Sequence, residues 1–204
     1  MNTFDPATHT YAIDGRPIPS VTQVLACAGL SADFHFLDRA VLDHKRQIGT
    51  ALHKALHYYL ENDLDEASLD PEVRGRFGAF EQFCKDTGFK AREAETTIWA
   101  MLSGMPYAGT LDVLGVMRSQ PYLIDFKCSD GQPHYSWAVQ TAAYAHGISP
   151  PLHPPFRWLR ASLQLFADGS YKFHEWKDRG DLDEFCWALA LTHRRMARGE
   201  NIWK

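Results

Sequence analysis

Three strand-like segments, Ala94–Leu102, Tyr107–Met117 and Tyr122–Cys128, follow one another with only short breaks. Ser103-Gly104 and Ser119-Gln120-Pro121 are turn sequences. A parallel connection needs a dozen or more residues, whereas antiparallel neighbours can be joined by a tight turn. The segment is therefore predicted as an antiparallel meander, and the rest of the chain has to cover it.

The flanking segments are helical. Ile48, Leu52, Leu56, Tyr59 and Leu60 form one apolar stripe within a predicted helix over Asp38–Leu60. A second helix begins at Pro71, with Val73, Phe77, Phe80 and Phe83 facing inward, and Gly88 ends it. After the meander, His134–His146 returns to helical period, and Gly147 with the Pro150/Pro151 and Pro154/Pro155 pairs closes it. Phe156–Phe166 and Tyr171–Trp176 flank Ala167-Asp-Gly-Ser170 as a hairpin, and Asp181–Arg198 is a closing helix. At the start, Thr10–Ile18 reads as a β-hairpin around Asp14-Gly15. Ser20-Val-Thr-Gln23 follows as a capping box, opening a short helix that Gly29 stops. The expected class is α+β with a mixed sheet, one domain over residues 1–204, whose central order is helix, three strands, helix, strand.

Composition narrows the function. Apolar residues at 45% are enough for a sizeable core. Lys plus Arg number 21 against 25 Asp plus Glu, a formal charge of −4. That balance excludes binding to nucleic acid or anionic membrane through bulk charge, while leaving a local basic groove open. Six acids and no base lie between Glu61 and Glu72, a predicted solvated loop. Cys27, Cys84, Cys128 and Cys186 lie far apart with no Cys-x-x-Cys pair, the pattern of reduced thiols in a cytoplasmic protein. No signal peptide and no membrane span is expected.

The chemistry concentrates around Tyr122-Leu-Ile-Asp125-Phe-Lys127-Cys128. Strand residues two apart share a face, so Asp125 and Lys127 project together while Ile124 and Phe126 pack. Charges on an apolar strand are costly unless paired or metal-bound. Asp112, in Ala108-Gly109-Thr110-Leu111-Asp112 of the preceding strand, can converge with Asp125 on one cation, and Glu95 offers a third carboxylate, with Glu93 as its rival. His53 in Gly49-Thr-Ala-Leu-His53 adds an imidazole, and Gln140-Thr-Ala-Ala-Tyr144 places an amide and a phenol one helical turn apart. Taken singly, each piece also has an ordinary structural reading: an ion pair on a strand, a helix cap, a packed tyrosine. His53 and His57 have zincin spacing, but Lys54 stands where that chemistry requires Glu.

Taken in order, Gly-Thr-x-x-His, a strand Glu, Gly-Thr-x-Asp, Ile-Asp-Phe-Lys and Gln-x-x-x-Tyr resemble the RecB-like branch of the PD-(D/E)XK nucleases. The opening Phe4-Asp-Pro-Ala-Thr-His9-Thr-Tyr11 and Pro19-Ser-Val-Thr-Gln-Val-Leu25 are similar to phage and prophage exonucleases of that branch. The resemblance spans roughly Phe4 to Tyr144 and implies the αβββαβ core of the restriction-endonuclease-like fold, with an N-terminal hairpin and a C-terminal helix added. It implies that His53, Asp112, Asp125 and the Phe126 carbonyl hold Mg²⁺ or Mn²⁺. Lys127 would position the attacking water, Glu95 would bind through water or a second ion, and Gln140 with Tyr144 would hold DNA. Iron–sulfur members carry a close cysteine group after the core; only Cys186 follows here, so no iron–sulfur cluster is expected. The implied activity is that of a DNA exonuclease in phage recombination or DNA processing, with a recombinase or single-strand-binding protein as a partner and the oligomeric state open. A structure-selective or single-strand endonuclease is the alternative within the class. A catalytically inert nucleic-acid- or partner-binding module is the alternative outside it.

Overall fold

The computed structural model describes residues 1–31, 39–148 and 158–203. Asp38, the four prolines of the 150–155 segment and the Phe156–Arg157 start of the expected strand lie outside the described residues.

The N-terminus forms a three-stranded antiparallel sheet of β1 (Asn2–Asp5), β2 (Thr10–Ile13) and β3 (Arg16–Ile18). Asp14 and Gly15 both have positive φ, 50° and 74°, the two-residue turn whose twist suits a hairpin. β1 is an addition to the expected hairpin; its four residues are too short and too mixed to announce a strand. Ser20 then caps α1 (Val21–Cys27): its side chain accepts from the Gln23 N–H, and the Gln23 side chain accepts from the Ser20 N–H.

α2 (Arg39–Leu60) and α3 (Pro71–Thr87) follow, joined across the acidic loop by a single 3₁₀ turn at Glu66–Ser68. Gly88 ends α3 in the left-handed conformation, φ 68°. Next come β4 (Lys90–Leu102), β5 (Met105–Met117) and β6 (Gln120–Lys127), an antiparallel meander as expected, with β4 starting four residues before Ala94. The irregular pairing between Ala91 and Glu93 interrupts the alternation that would have marked this start. α4 (Ser136–Gly147) carries the chain over to β7 (Leu159–Leu165), which pairs parallel with β6. β8 (Tyr171–Trp176) adds antiparallel, and α5 (Gly180–Ala197) closes the described fold.

The central sheet runs β4-β5-β6-β7-β8, mixed by its one parallel pair, and the order from α2 or α3 onward is the expected αβββαβ core. Helices cover both faces. Val73, Phe77, Phe80 and Phe83 of α3 and Leu52 and Leu56 of α2 pack on Tyr122, Ile124, Phe126 and Leu163. Val24 of α1, Val139 and Tyr144 of α4 and Phe185 and Leu189 of α5 pack on the opposite face, against Leu111, Leu114 and Leu123. Alternation along β6 thus sends Ile124 and Phe126 toward α2 and α3, and Asp125 and Lys127 toward α4.

Candidate metal centre

The site sits where the sheet divides. β5 and β6 pair from Met117↔Gln120 to Val113↔Ile124 and then part. Asp112 and Asp125 are the first residues past that point. In place of a β5 backbone partner, the Phe126 N–H donates to Asp112 Oδ2 at 2.6 Å. The freed half of β5 is taken up on another side: Ala108 bridges Ser20, and its N–H donates to the Pro19 carbonyl at 3.1 Å.

On β4, Ala94 pairs with Val113 and Thr96 with Leu111, which brings Glu95 opposite Asp112. Glu95 has φ 52°, a left-handed conformation that non-glycine residues adopt at a cost, and such strain concentrates at functional sites. Glu93 is exposed and paired with Leu114, away from the cavity, so of the two rival acids only Glu95 reaches it. From α2, His53 Nδ1 comes to 3.1 Å from Asp112 Oδ1 and 3.7 Å from Glu95 Oε1. One ligand atom from each of His53, Glu95 and Asp112 lies within 4.8 Å of the others, a group that could hold a metal ion.

Asp125 stands beside this trio, paired with lysine. Lys127 Nζ lies 2.5 Å from Asp125 Oδ2. Beyond this ion pair the oxygen has no further partner among the described residues. Asp125 is 3% exposed, so its carboxylate depends on that ammonium for compensation. Lys127 donates to Gln140 Oε1 at 2.8 Å, and Gln140 Nε2 donates to the Tyr144 hydroxyl at 3.2 Å. Lys127 Nζ also lies 5.6 Å from the centre of the Trp137 ring. The Gln140 and Tyr144 pair, one turn apart on α4, therefore extends the Asp125–Lys127 pair in a line along the cavity wall.

Charge follows the geometry. The Asp112 carboxylate holds His53 well above the ordinary imidazole value. Burial alone would raise Asp112, but the His53 imidazolium and its hydrogen bond, with the Phe126 N–H, bring the carboxyl below its usual range. Burial pushes Asp125 up to about 6 against the pull of Lys127, with Asp112 adding to the rise. Burial likewise lifts the Tyr144 phenol well above its ordinary value. The acids are crowded and the metal-free protein compensates with one imidazolium and one ammonium. A donor set of carboxylates with one imidazole, its ligand atoms within 4.8 Å of one another, fits a hard divalent cation.

The cavity of about 330 Å³ holds His53, Glu95, Asp112, Asp125, Phe126, Lys127, Gln140 and Tyr144 together. Phe126 contributes backbone there, since its side chain is 5% exposed and packs against Phe80. Sequence reasoning did not assign roles to Tyr11 and Thr110, whose hydroxyls meet at 2.8 Å, or to His9, all three of which line the same cavity. His9 and Tyr11 stand in the opening motif, but only the folding of the N-terminal sheet onto β4 and β5, with Tyr11 edge-on to Trp99 at 5.6 Å, brings them to the site.

Among solved structures, the chain is similar to one described as a "putative exonuclease" from Eubacterium rectale. The TM-score is 0.54 at 12% identity, over 89% of this chain and 80% of that one. A structure of SSO0001 aligns over 72% and 73% at 16% identity with a TM-score of 0.40, too low to bear on the fold. No family model and no curated protein matches the chain. At 12% identity the first likeness shows the fold alone: an α+β architecture with a mixed five-stranded sheet. Among the described residues no helix is long and apolar enough to cross a membrane.

Proposed function

We propose that residues 1–204 are one nuclease domain of the RecB-like PD-(D/E)XK branch that hydrolyses DNA phosphodiesters with Mg²⁺ or Mn²⁺. The observation that carries the reading is the meeting of His53, Glu95 and Asp112 beside the buried Asp125–Lys127 pair in one cavity. His53, Asp112, Asp125 and the Phe126 carbonyl would hold the ion, with Glu95 able to join them. When bound, the cation supplies Lewis-acid polarisation of the phosphate and lowers the pKa of bound water. Lys127 orients the attacking water and offsets charge that develops on the phosphate. Gln140 fixes the Lys127 ammonium through its 2.8 Å hydrogen bond, and Tyr144 fixes Gln140. Both line the cavity and hold the substrate backbone beside the cluster.

Exonucleolytic action on free DNA ends in phage recombination or DNA processing, in the cytoplasm and alongside a recombinase or single-strand-binding protein, is the finer form of the proposal. Its support is the ordered set of motifs and the nuclease-like fold together. End-labelled linear and circular DNA, single- and double-stranded, should be incubated with Mg²⁺, Mn²⁺ or EDTA. Digestion of linear DNA alone supports the exonuclease, and nicking of circles makes the enzyme an endonuclease. No metal-dependent digestion of any substrate overturns the enzyme. Asp125→Ala and Lys127→Ala should each abolish cutting in a folded protein.

A further inference from the structure

The closing helix carries a stripe that nothing covers among the described residues. α5 turns Phe185, Ala188, Leu189 and Thr192 inward, where they are buried. Its outer side presents Gly180, Glu184, Trp187, Leu191, Arg194 and the capping Arg198, spaced alternately by four and three residues. That alternation is the seam through which two helices pack side by side. At its middle, Trp187 is 72% exposed and Leu191 is 43% exposed. An indole this bare is unusual in a folded chain, and tryptophan is enriched where proteins meet. Trp187 makes no ring contact, and Glu184, Arg194 and Arg198 make no ion pair, among the described residues. An acid near the start of the stripe and bases near its end also suit the helix's own dipole. The exposed Trp187 and Leu191 between them answer no such need.

Reversed end to end, the stripe is complementary to itself. A two-fold axis at the level of Leu189 sets Trp187 against Leu191 of the partner subunit and Glu184 against Arg194 of the partner subunit, each contact occurring twice. The same register lays Arg198 of the partner subunit over Gly180, which has no side chain to obstruct it. A parallel pair would instead set Glu184 on Glu184 and Arg194 on Arg194, so charge selects the antiparallel one. Within one chain Glu184 and Arg194 stand ten residues apart, about 15 Å of helix, and do not meet. We propose that this face binds a second copy of the chain, forming a two-fold dimer through antiparallel α5 helices. No residue of α5 lines the metal cavity, so both cavities of the dimer stay open and the proposal stands apart from the nuclease reading. One helix pair buries an area at the low end for specific interfaces, so the dimer should be reversible, with a dissociation constant on the order of 10 μM.

Sedimentation equilibrium of the full chain over a concentration series should show a monomer–dimer equilibrium. Trp187→Ala, Glu184→Arg and Arg194→Glu should each weaken it by at least about tenfold. None of the three side chains sits in the core, and circular dichroism with a melting curve checks that each variant is folded. The charge reversals also test the register. Glu184→Arg and Arg194→Glu together in one chain exchange the two partners and should restore the dimer. An equimolar mixture of the two single variants should dimerise as well, because every charged contact in the mixed pair then joins opposite signs. A chain that stays monomeric up to about 1 mM, or a dimer that Trp187→Ala leaves unchanged, overturns the proposal. So does a double reversal that dimerises no better than the single ones, or a mixture of single variants that stays monomeric.

Discussion

Gly109 is where the motif of β5 and the motif of α4 depend on each other. A Cβ at this position would lie 2.7 Å from Tyr144 Cε1 and 3.3 Å from Val21 Cγ2. The first distance is one that real Cβ atoms do not show, and the ring it strikes is buried, with its hydroxyl held by Gln140. Gly109→Ala must therefore push Tyr144, and overpacking of this kind costs about 1–3 kcal/mol. For a chain of this size each kcal/mol lowers Tm by about 2–4 °C, so the melting point should fall by roughly 2–12 °C. The cause is separable from a general effect of alanine in a strand. Tyr144→Ala alone should cost about 3–5 kcal/mol as a large-to-small core change. In that background Gly109→Ala should cost close to nothing, because the atom it strikes is gone. Chemical unfolding of the four proteins gives a coupling of about 1–3 kcal/mol if the contact is the cause. Additivity within about 0.5 kcal/mol refutes it. Because Tyr144 also fixes Gln140 and hence Lys127, Gly109→Ala should slow DNA cutting more than it changes affinity for DNA.

Three further outcomes follow from the geometry. Burial keeps the folded Asp125 carboxyl near 6, about two units above an unfolded aspartate. The folded chain then holds more protons than the unfolded one between about pH 4 and about pH 6, and stability falls as pH rises through that window, by about 3 kcal/mol for an isolated group. Metal-free Asp125→Asn should therefore melt higher than the unsubstituted protein at pH 8, with the gain shrinking toward pH 4; no gain at pH 8 contradicts the assigned environment. Mg²⁺ or Mn²⁺ at a hundred times its dissociation constant should stabilise the protein by about 2.7 kcal/mol, read as a rise in Tm. Asp112→Ala should remove that rise, and a rise that persists places the ion elsewhere. In α3, a Cβ on Gly75 would sit 1.9 Å from the Ala167 carbonyl oxygen. Gly75→Ala should lower Tm by more than Gly78→Ala, whose Cβ meets open space, and equal losses would show that the turn after β7 yields freely.

Much of the fold was legible because its signals are local. Asp14-Gly15 specifies a hairpin turn through its positive φ values, Ser20 and Gln23 specify a helix start through two reciprocal hydrogen bonds, and Gly88 specifies a helix end. The meander followed from short connections, and the stripes on α2 and α3 from their period. The start of β4 and the existence of β1 were not legible, because an irregular pairing breaks the alternation in one and the other has too few residues to show any.

The site divides along the same line. Alternation alone puts Asp125 and Lys127 on one face of a strand, and helical spacing alone puts Gln140 and Tyr144 on one face of a helix. Chain order does not tell whether those faces meet, that His53 from α2 reaches Asp112 at 3.1 Å, or that Glu95 and not Glu93 enters the cavity. Those were decided by the parting of β5 from β6, the left-handed turn at Glu95 and the folding of the N-terminal sheet onto β4 and β5. The sequence by itself determined which side chains share an element's face, since backbone period is a local property. The tertiary structure decided which faces share a cavity, since that depends on packing between residues as far apart as Tyr11 and Thr110.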